Sequence, residues 1–391
     1  MREEFSMKIG LLGIEDPADV RSYSGTPYHL AHFLRRAGHE VRCLGPYPFK
    51  HVFLIRLLSR LSKILTGKHL LWQRHPVIAR QYPEIINKYA AQNQDLDLLL
   101  GTSAFYLAGA APGIPLAFWG DTTVAGVLGK YPAYLNVSAS TIEQAHKVEQ
   151  EALNAANLAI FSNQWAADVA VDAYSVEAEK VHVITYGANL VSRPSEAEVE
   201  ASIAARPQGS IDLLLLGTSW YRKGVDLAIE VVTELRRRGH QATLTVAGCE
   251  SPPGYHPLEY VKVLGMIPKS SPEGLKQLTD LLLQSHVFLL PTRADCAAVV
   301  LAEASAYGLP VVTSDVGGNA SLVAKGRNGY LLPIEAPIAE WAQAVERIVK
   351  DRSSYEAFAR NTYRYFVAEL SWESSVSKFG ALVEETIFSH K

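Results

Sequence analysis

The sequence predicts an α/β protein made of two doubly wound units, each a parallel sheet with helices on both faces. Three observations predict it. Short apolar runs alternate with helical stretches along the chain, which is the pattern of βαβ units. That alternation breaks once, at residues 192–210, and then resumes. The chain has 391 residues, more than one hydrophobic core usually serves, so two domains are expected.

The first unit opens with the apolar strand Lys8–Ile14. A polar loop leads to Ser24-Gly25-Thr26-Pro27, and a helix follows from Tyr28 to Ala37. Apolar Leu30, Ala31 and Leu34 share its inner face, and Gly38 stops it. Glu40–Leu44 is the next strand. Further strands are read at Leu96–Leu100, Pro115–Trp119, Leu158–Ser162 and Val181–Ile184, with helices at Thr141–Asn154 and Gln164–Tyr174. Residues 192–210 hold Pro194, Pro207 and Gly209 with few large apolar side chains, and are read as the linker.

The second unit, 211–371, repeats the alternation. Its strands are Ile211–Leu216, Ala242–Ala247, Val261–Leu264, Val287–Leu290, Pro310–Thr313 and Gly329–Leu332. Its helices lie near Gly224–Arg238, Pro272–Leu282, Val299–Tyr307 and Ile338–Lys350. Two such units in tandem are expected to face one another across a cleft. Open α/β sheets take ligands at the carboxyl ends of their strands.

Composition excludes several classes. With 48% hydrophobic and 20% charged residues the chain packs rather than staying disordered. Its 37 basic and 40 acidic side chains leave a formal charge of −3, against a dedicated nucleic-acid binder. Cys43, Cys249 and Cys296 offer no disulfide framework. The polar start Met1–Ser6 and the short apolar run Ile9–Ile14 do not read as a signal sequence. No run of eighteen charge-free apolar residues reads as a span. The expected location is cytoplasmic.

Three motifs carry chemistry. The loop ending at Gly25 and Thr26 precedes a helix, where backbone amides favour an anion; the alternative is an ordinary helix start, capped by Thr26. Gly217–Gly224 follows a strand and puts Arg222 and Lys223 at a helix N-terminus. Two cations there oppose the helix dipole, and a diphosphate would relieve the conflict. In Pro291–Ala304, Asp295 follows a strand and Glu303 lies eight residues on, among Val299, Val300, Leu301 and Ala302. A carboxylate in such an apolar helix wants a partner. Sugar hydroxyls and an internal arginine are the two alternatives. Tyr307-Gly308-Leu309-Pro310 and then Asp315–Asn319, with Gly317 and Gly318, complete the series.

In order and spacing, Asp295, Glu303, the Gly308–Pro310 turn and the Gly317-Gly318 loop resemble the signature of the retaining, nucleotide-sugar-dependent glycosyltransferases of family 4. Trp220–Gly224, Gly248–Pro253 and Tyr186–Asn189 are similar to the same family. The resemblance implies the GT-B fold of two Rossmann-like domains, with the chain end, 372–391, returning to the first, acceptor-binding domain (1–191). It implies a nucleotide-sugar donor as substrate on the second domain, no cofactor and no catalytic metal.

Residue by residue, the resemblance makes Glu303 the ribose ligand and Asp295 the contact to the donor sugar, aspartate where the family usually has glutamate. Ala297 and Ala298 present backbone amides to the sugar, and Val299 is a further donor-binding position. Lys223 is the diphosphate ligand. Thr218 stands where an arginine is usual, so Arg222 is the second cation. Gly25 and Thr26 form the loop near the diphosphate. Asp121, in Phe118–Thr123, takes the place of a histidine near the donor sugar; its alternative is to cap the next helix or turn. The catalytic set is therefore Asp121, Lys223 and Asp295. The implied activity is retaining transfer of a hexose from a UDP- or GDP-linked donor to a hydroxyl of a glycan, lipid or small molecule. A catalytically silent sugar-nucleotide sensor or scaffold, and a GT-B epimerase, are the rivals.

One segment stands outside these motifs. Residues 46–83 carry Lys50, Arg56, Arg60, Lys63, Lys68, Arg74 and Arg80 with no acidic side chain. Val52–Leu65 reads as a basic amphipathic helix. It packs on the first sheet, lines an acceptor site, or makes peripheral contact, through residues 50–72, with the inner face of a membrane.

Overall fold

The computed structural model describes residues 5–190, 192–269 and 271–389. Residues 1–4 of the stretch read for a leader lie outside the described residues. The chain forms two compact units, residues 1–185 with 375–391, and residues 186–374.

The first unit has six strands: β1 (Lys8–Leu12), β2 (Glu40–Leu44), β3 (Leu98–Gly101), β4 (Leu116–Gly120), β5 (Leu158–Phe161) and β6 (Val181–Val183). All pair in parallel, in the order β2-β1-β3-β4-β5-β6. Every residue of β3, β4 and β5 is buried, as expected of strands covered on both faces. The direction of strand addition reverses beside β1, which makes the loops after β1 and β3 the natural ligand edge.

Helix Trp372–Val383 carries the chain from the second unit into the first. Within the first unit, Phe379 stacks on Trp119 with centroids 5.5 Å apart and planes 12° from parallel. Ser375 donates to the Thr185 carbonyl at 2.7 Å.

The second unit has β7 (Ser210–Leu216), β8 (Gln241–Ala247), β9 (Val261–Val263), β10 (Val287–Leu290), β11 (Val311–Ser314) and β12 (Gly329–Leu332). Their order is β12-β11-β10-β7-β8-β9, again all parallel. The reversal here falls between β7 and β10.

Residues 192–210 differ from the linker expectation. They contain helix Glu196–Ala205, closed by a capping box between Ser195 and Glu198. Val199 and Ile203, one turn apart, are buried in the second unit's core. Two apolar positions suffice because they fall on one face, and Pro194 and Pro207 bracket the helix rather than replace it. Buried Arg206 follows. It donates to the Leu283, Tyr307 and Gly308 carbonyls at 2.9–3.0 Å and to the Tyr355 hydroxyl at 2.7 Å. Those carbonyls sit at or just past the ends of two helices, where the peptide dipoles leave negative charge.

The first unit buries an ion pair. Arg74 lies 3.7 Å from Glu149, and the two side chains are only 4% and 1% exposed. Arg74 also lies over the Phe105 ring at 3.8 Å. Burial disfavours charge on both groups. For Arg74, Tyr134 and Glu149 outweigh it; for Glu149, burial wins and lifts its pKa from 4.5 to about 7. A carboxyl with a raised folded pKa binds its proton more tightly when folded. Its contribution is therefore full below the unfolded value and lost as pH rises through 7. Urea titrations should show wild type losing about 2–3 kcal/mol between pH 5 and pH 8 through this group. Glu149→Gln should flatten that loss; an unchanged slope in the variant would refute the assignment.

Candidate functional site

β7 and β10 are adjacent and parallel, so the loops that follow them, 217–224 and 291–298, leave the same edge of the second sheet. They are knitted together there. The Arg222 carbonyl accepts from the Arg293 amide at 2.7 Å and from the Thr292 hydroxyl at 2.9 Å. The Arg222 guanidinium donates to the Ala294 carbonyl at 2.9 Å. Lys223 Nζ donates to Asp295 Oδ2 at 2.6 Å, and Arg222 lies 3.7 Å from the same oxygen.

Two glycines permit this approach. Gly224 has φ 71°, and a Cβ there would stand 1.9 Å from the Pro291 carbonyl oxygen. Gly317, in the loop after β11, has φ 53°, and a Cβ there would stand 1.8 Å from the Asp295 carbonyl oxygen. No side chain fits either gap, and L-residues avoid that backbone region.

The two cations at this helix start thus have a protein carboxylate as counter-charge. Lys223 and Asp295 are 10% and 11% exposed, so losing either partner strands a desolvated charge. Asp295 thus faces both Arg222 and Lys223 beside the start of helix Val225–Arg237. Arg293 is occupied elsewhere, in a two-pronged pair with Asp226 at 2.7 and 2.8 Å.

Ala297 and Ala298 lead from Asp295 into helix Val299–Ser305. The Val299 amide donates to the Ala297 carbonyl at 2.8 Å. A tight turn therefore uses that donor. Glu303 is buried, 5% exposed, and pairs with the half-exposed Lys269 at 3.2 Å. Its protein partner is a lysine rather than the internal arginine considered above.

In the first unit, Tyr23, Ser24 and Gly25 take successive left-handed conformations, with φ of 45°, 57° and 83°. Such geometry is costly for Tyr23 and Ser24. The Tyr23 hydroxyl donates to Asp121 Oδ1 at 2.5 Å, tying the loop after β1 to the loop after β4. Gly25 caps the helix Thr26–Arg36, and no side chain caps it. Thr26 is therefore its first helical residue rather than its cap. Asp121 does not cap the short helix Val124–Val127 either; Thr123 is its N-cap residue, without a side-chain bond.

The structure brings Arg222, Lys223 and Asp295 into one cluster, and separately joins the Gly25 loop to Asp121. Sequence reasoning missed Tyr23, Thr292 and Lys269. Tyr23 stands two residues before a glycine already singled out, and Thr292 three before Asp295. Lys269 carried no local signal. Ser314 and Asn319 buttress the cluster from behind: Asn319 donates to the Ser314 carbonyl at 3.1 Å, and the Ser314 hydroxyl donates to the Thr292 carbonyl. Among the described residues, no three His, Cys, Asp or Glu side chains group as a metal-ligand set.

Residues 210–351 match the family model described as Glycosyl transferases group 1. The match falls within the second unit and covers less than half of the chain. Among curated relatives, the chain is 25% identical over 243 residues to a D-inositol 3-phosphate glycosyltransferase of Gordonia bronchialis, covering 58% of this chain and 52% of that protein. It is 25% identical over 281 residues to a glycogen synthase of Mycobacterium tuberculosis, covering 68% and 64%. The chain thus spans about half to two thirds of the length of these relatives.

Solved structures share the fold. A sucrose-phosphate synthase of Thermosynechococcus elongatus superposes with TM-score 0.66 at 18% identity, over 98% of this chain and 100% of that one. HepE of Anabaena, solved with UDP-glucose, gives 0.59 at 15%, over 97% and 100%. The fold is the GT-B architecture, with two Rossmann-like units.

The close approach at Gly317 is testable by stability. Gly317→Ala should cost about 2–4 kcal/mol in urea unfolding, from backbone strain plus the clash with Asp295. Gly239→Ala, at φ 95° with nothing within 4 Å of the added methyl, should cost only about 1–2 kcal/mol. Equal losses would show that the Asp295 contact is slack.

Proposed function

We propose that this protein transfers a hexose from a nucleotide-sugar donor to an acceptor hydroxyl with retention of anomeric configuration, and that the second unit holds the donor. The observation that carries this reading is the buried Lys223–Asp295 pair, with Arg222 beside it, at the switch point of the second sheet.

Asp295 takes one of the three N–H bonds of the Lys223 ammonium, and the others are assigned to the donor diphosphate. As the bond between the sugar's anomeric carbon and the phosphate oxygen breaks, negative charge grows on the diphosphate. Lys223, Arg222 and the dipole of helix Val225–Arg237 stabilise it. The acceptor oxygen bonds on the face the phosphate leaves, and the leaving phosphate takes the acceptor's proton. Asp295, already fixed through Oδ2, has Oδ1 for a sugar hydroxyl. Glu303 is assigned the ribose hydroxyls, with Lys269 holding its carboxylate in place. Amides at Ala297 and Ala298 line the sugar. In the first unit, Gly25 and Thr26 are assigned to the loop near the diphosphate, and Asp121, bonded by Tyr23, is assigned electrostatic support near the donor sugar.

The relatives' names support sugar transfer as the class. They include an alpha-D-kanosaminyltransferase of Streptomyces kanamyceticus alongside those above, so they favour no single acceptor. The HepE complex puts UDP-glucose first among donors to try.

Calorimetric titration with UDP-glucose, other UDP-hexoses and GDP-mannose should find at least one donor that binds. Glu303→Ala and Lys223→Met should each weaken it roughly tenfold to a hundredfold, the worth of a hydrogen bond to a charged group. Absence of any nucleotide-sugar binding by wild type would overturn the proposal. Binding without transfer or hydrolysis would turn it into the sensor reading.

A further inference from the structure

Helix Val52–Thr66 is amphipathic in the reverse sense of a core helix. At 100° per residue, Phe53, Leu54, Leu57, Leu58, Leu61, Ile64 and Leu65 fall within one arc of about 140°. All seven are exposed, Phe53, Ile64 and Leu65 to 82%, 78% and 81%. The opposite side faces the protein and is mostly hydroxylic. Its one buried residue is Ile55. Ser59 exchanges hydrogen bonds with the Leu70 backbone at 3.0 and 3.1 Å, and Ser62 donates to the Lys68 carbonyl at 2.7 Å.

The charges are placed as deliberately. Arg56, Arg60 and Lys63 form a row along one flank of the apolar arc, and Lys50 and Lys68 stand just beyond the helix ends. Arg56 lies over Trp72 at 4.7 Å, which fixes that flank to the protein. All five are exposed, and no acidic side chain occurs between residues 46 and 83. Arg74, by contrast, is spent on Glu149 inside the unit.

We infer that this helix lies flat on an anionic lipid surface, with its apolar arc among the acyl chains and its cationic flank against the headgroups. An isolated apolar arc of this size has no reason to stay in water. A basic flank with no acidic neighbour selects a negatively charged partner. Fifteen residues span about 22 Å, less than the hydrocarbon core, so the helix lies on the membrane rather than crossing it. Among the described residues, no helix is long and apolar enough to cross. The inference stands independently of the function proposed above.

The test is co-sedimentation of the full chain with vesicles of phosphatidylcholine alone and of phosphatidylcholine with phosphatidylglycerol in equal parts. Binding is expected to the anionic vesicles and not to the neutral ones. Ile64→Glu with Leu65→Glu should lower it at least roughly tenfold, since both charges must enter the acyl region. Arg60→Gln with Lys63→Gln should lower it roughly tenfold to a hundredfold and flatten its dependence on salt. Unchanged thermal melting confirms that the variants fold. Equal binding to both vesicle types, or no binding to either, overturns the inference. So does a wild-type dimer by light scattering that ignores vesicles and dissociates in the Ile64/Leu65 variant, because a second copy would then cover the face.

Discussion

A lysine and an aspartate 2.6 Å apart, both nearly out of solvent, set the geometry on which the proposed donor site of the second unit depends. An ion pair so buried is worth having only if its partners are held in place, because a loose pair pays desolvation without recovering attraction. The fold supplies that hold in layers. The strand order makes β7 and β10 neighbours, so their loops emerge side by side. Backbone bonds from Thr292 and Arg293 to Arg222 fix the distance between the loops. Gly224 and Gly317 allow carbonyl groups to come where any side chain would bar them. Ser314 and Asn319 then brace the strand end from behind.

Much of this was legible in the sequence because its signals are local. The central strands β3, β4, β5 and β10 were visible as apolar runs, since strands buried on both faces leave no alternation to misread. Lys223 and Asp295 were each visible as a charge beside a strand end. Their direct contact was not, because 72 residues separate them and spacing says nothing of sheet order. The conflict between two cations and a helix dipole at Arg222–Lys223 was also legible. Its answer, a carboxylate of the protein itself, was not. Lys269 escaped for the same reason: its partner Glu303 is 34 residues away. The helix at 196–205 escaped for another. A ten-residue helix with two core contacts has almost no periodic signal, and its prolines advertise a break.

The two units solve the same topological problem differently. Both sheets reverse their strand order beside the first strand of the unit, and both place a glycine-bearing loop there. In the second unit the loop is held by charge, through Asp295. In the first it is held by strain and a hydrogen bond: three successive left-handed residues are tied to Asp121 through the Tyr23 hydroxyl. A charged cluster suits a polyanionic ligand. A strained loop stores part of the cost of rearrangement in its own backbone.

Helix Val52–Thr66 shows where periodicity stops being informative. A hydrophobic face read from sequence has a direction around the helix, but nothing in the pattern says whether that face turns toward the protein or away. Here the hydroxyls of Ser59 and Ser62 make the inward bonds, and they can do so only because the chain returns at 68–70 to receive them. Polar anchoring inward forces the apolar side outward. Exposed apolar surface costs about 25 cal/mol for each Å² left in water, and seven large side chains make that a standing penalty. A near-neutral total charge hides the compensation, because the cations beside this face are balanced by acids elsewhere in the chain. Apolar surface and unopposed positive charge coincide on one element, and each alone would be unremarkable on a protein of this size. Together they are the two features on which the inferred contact with an anionic lipid surface rests.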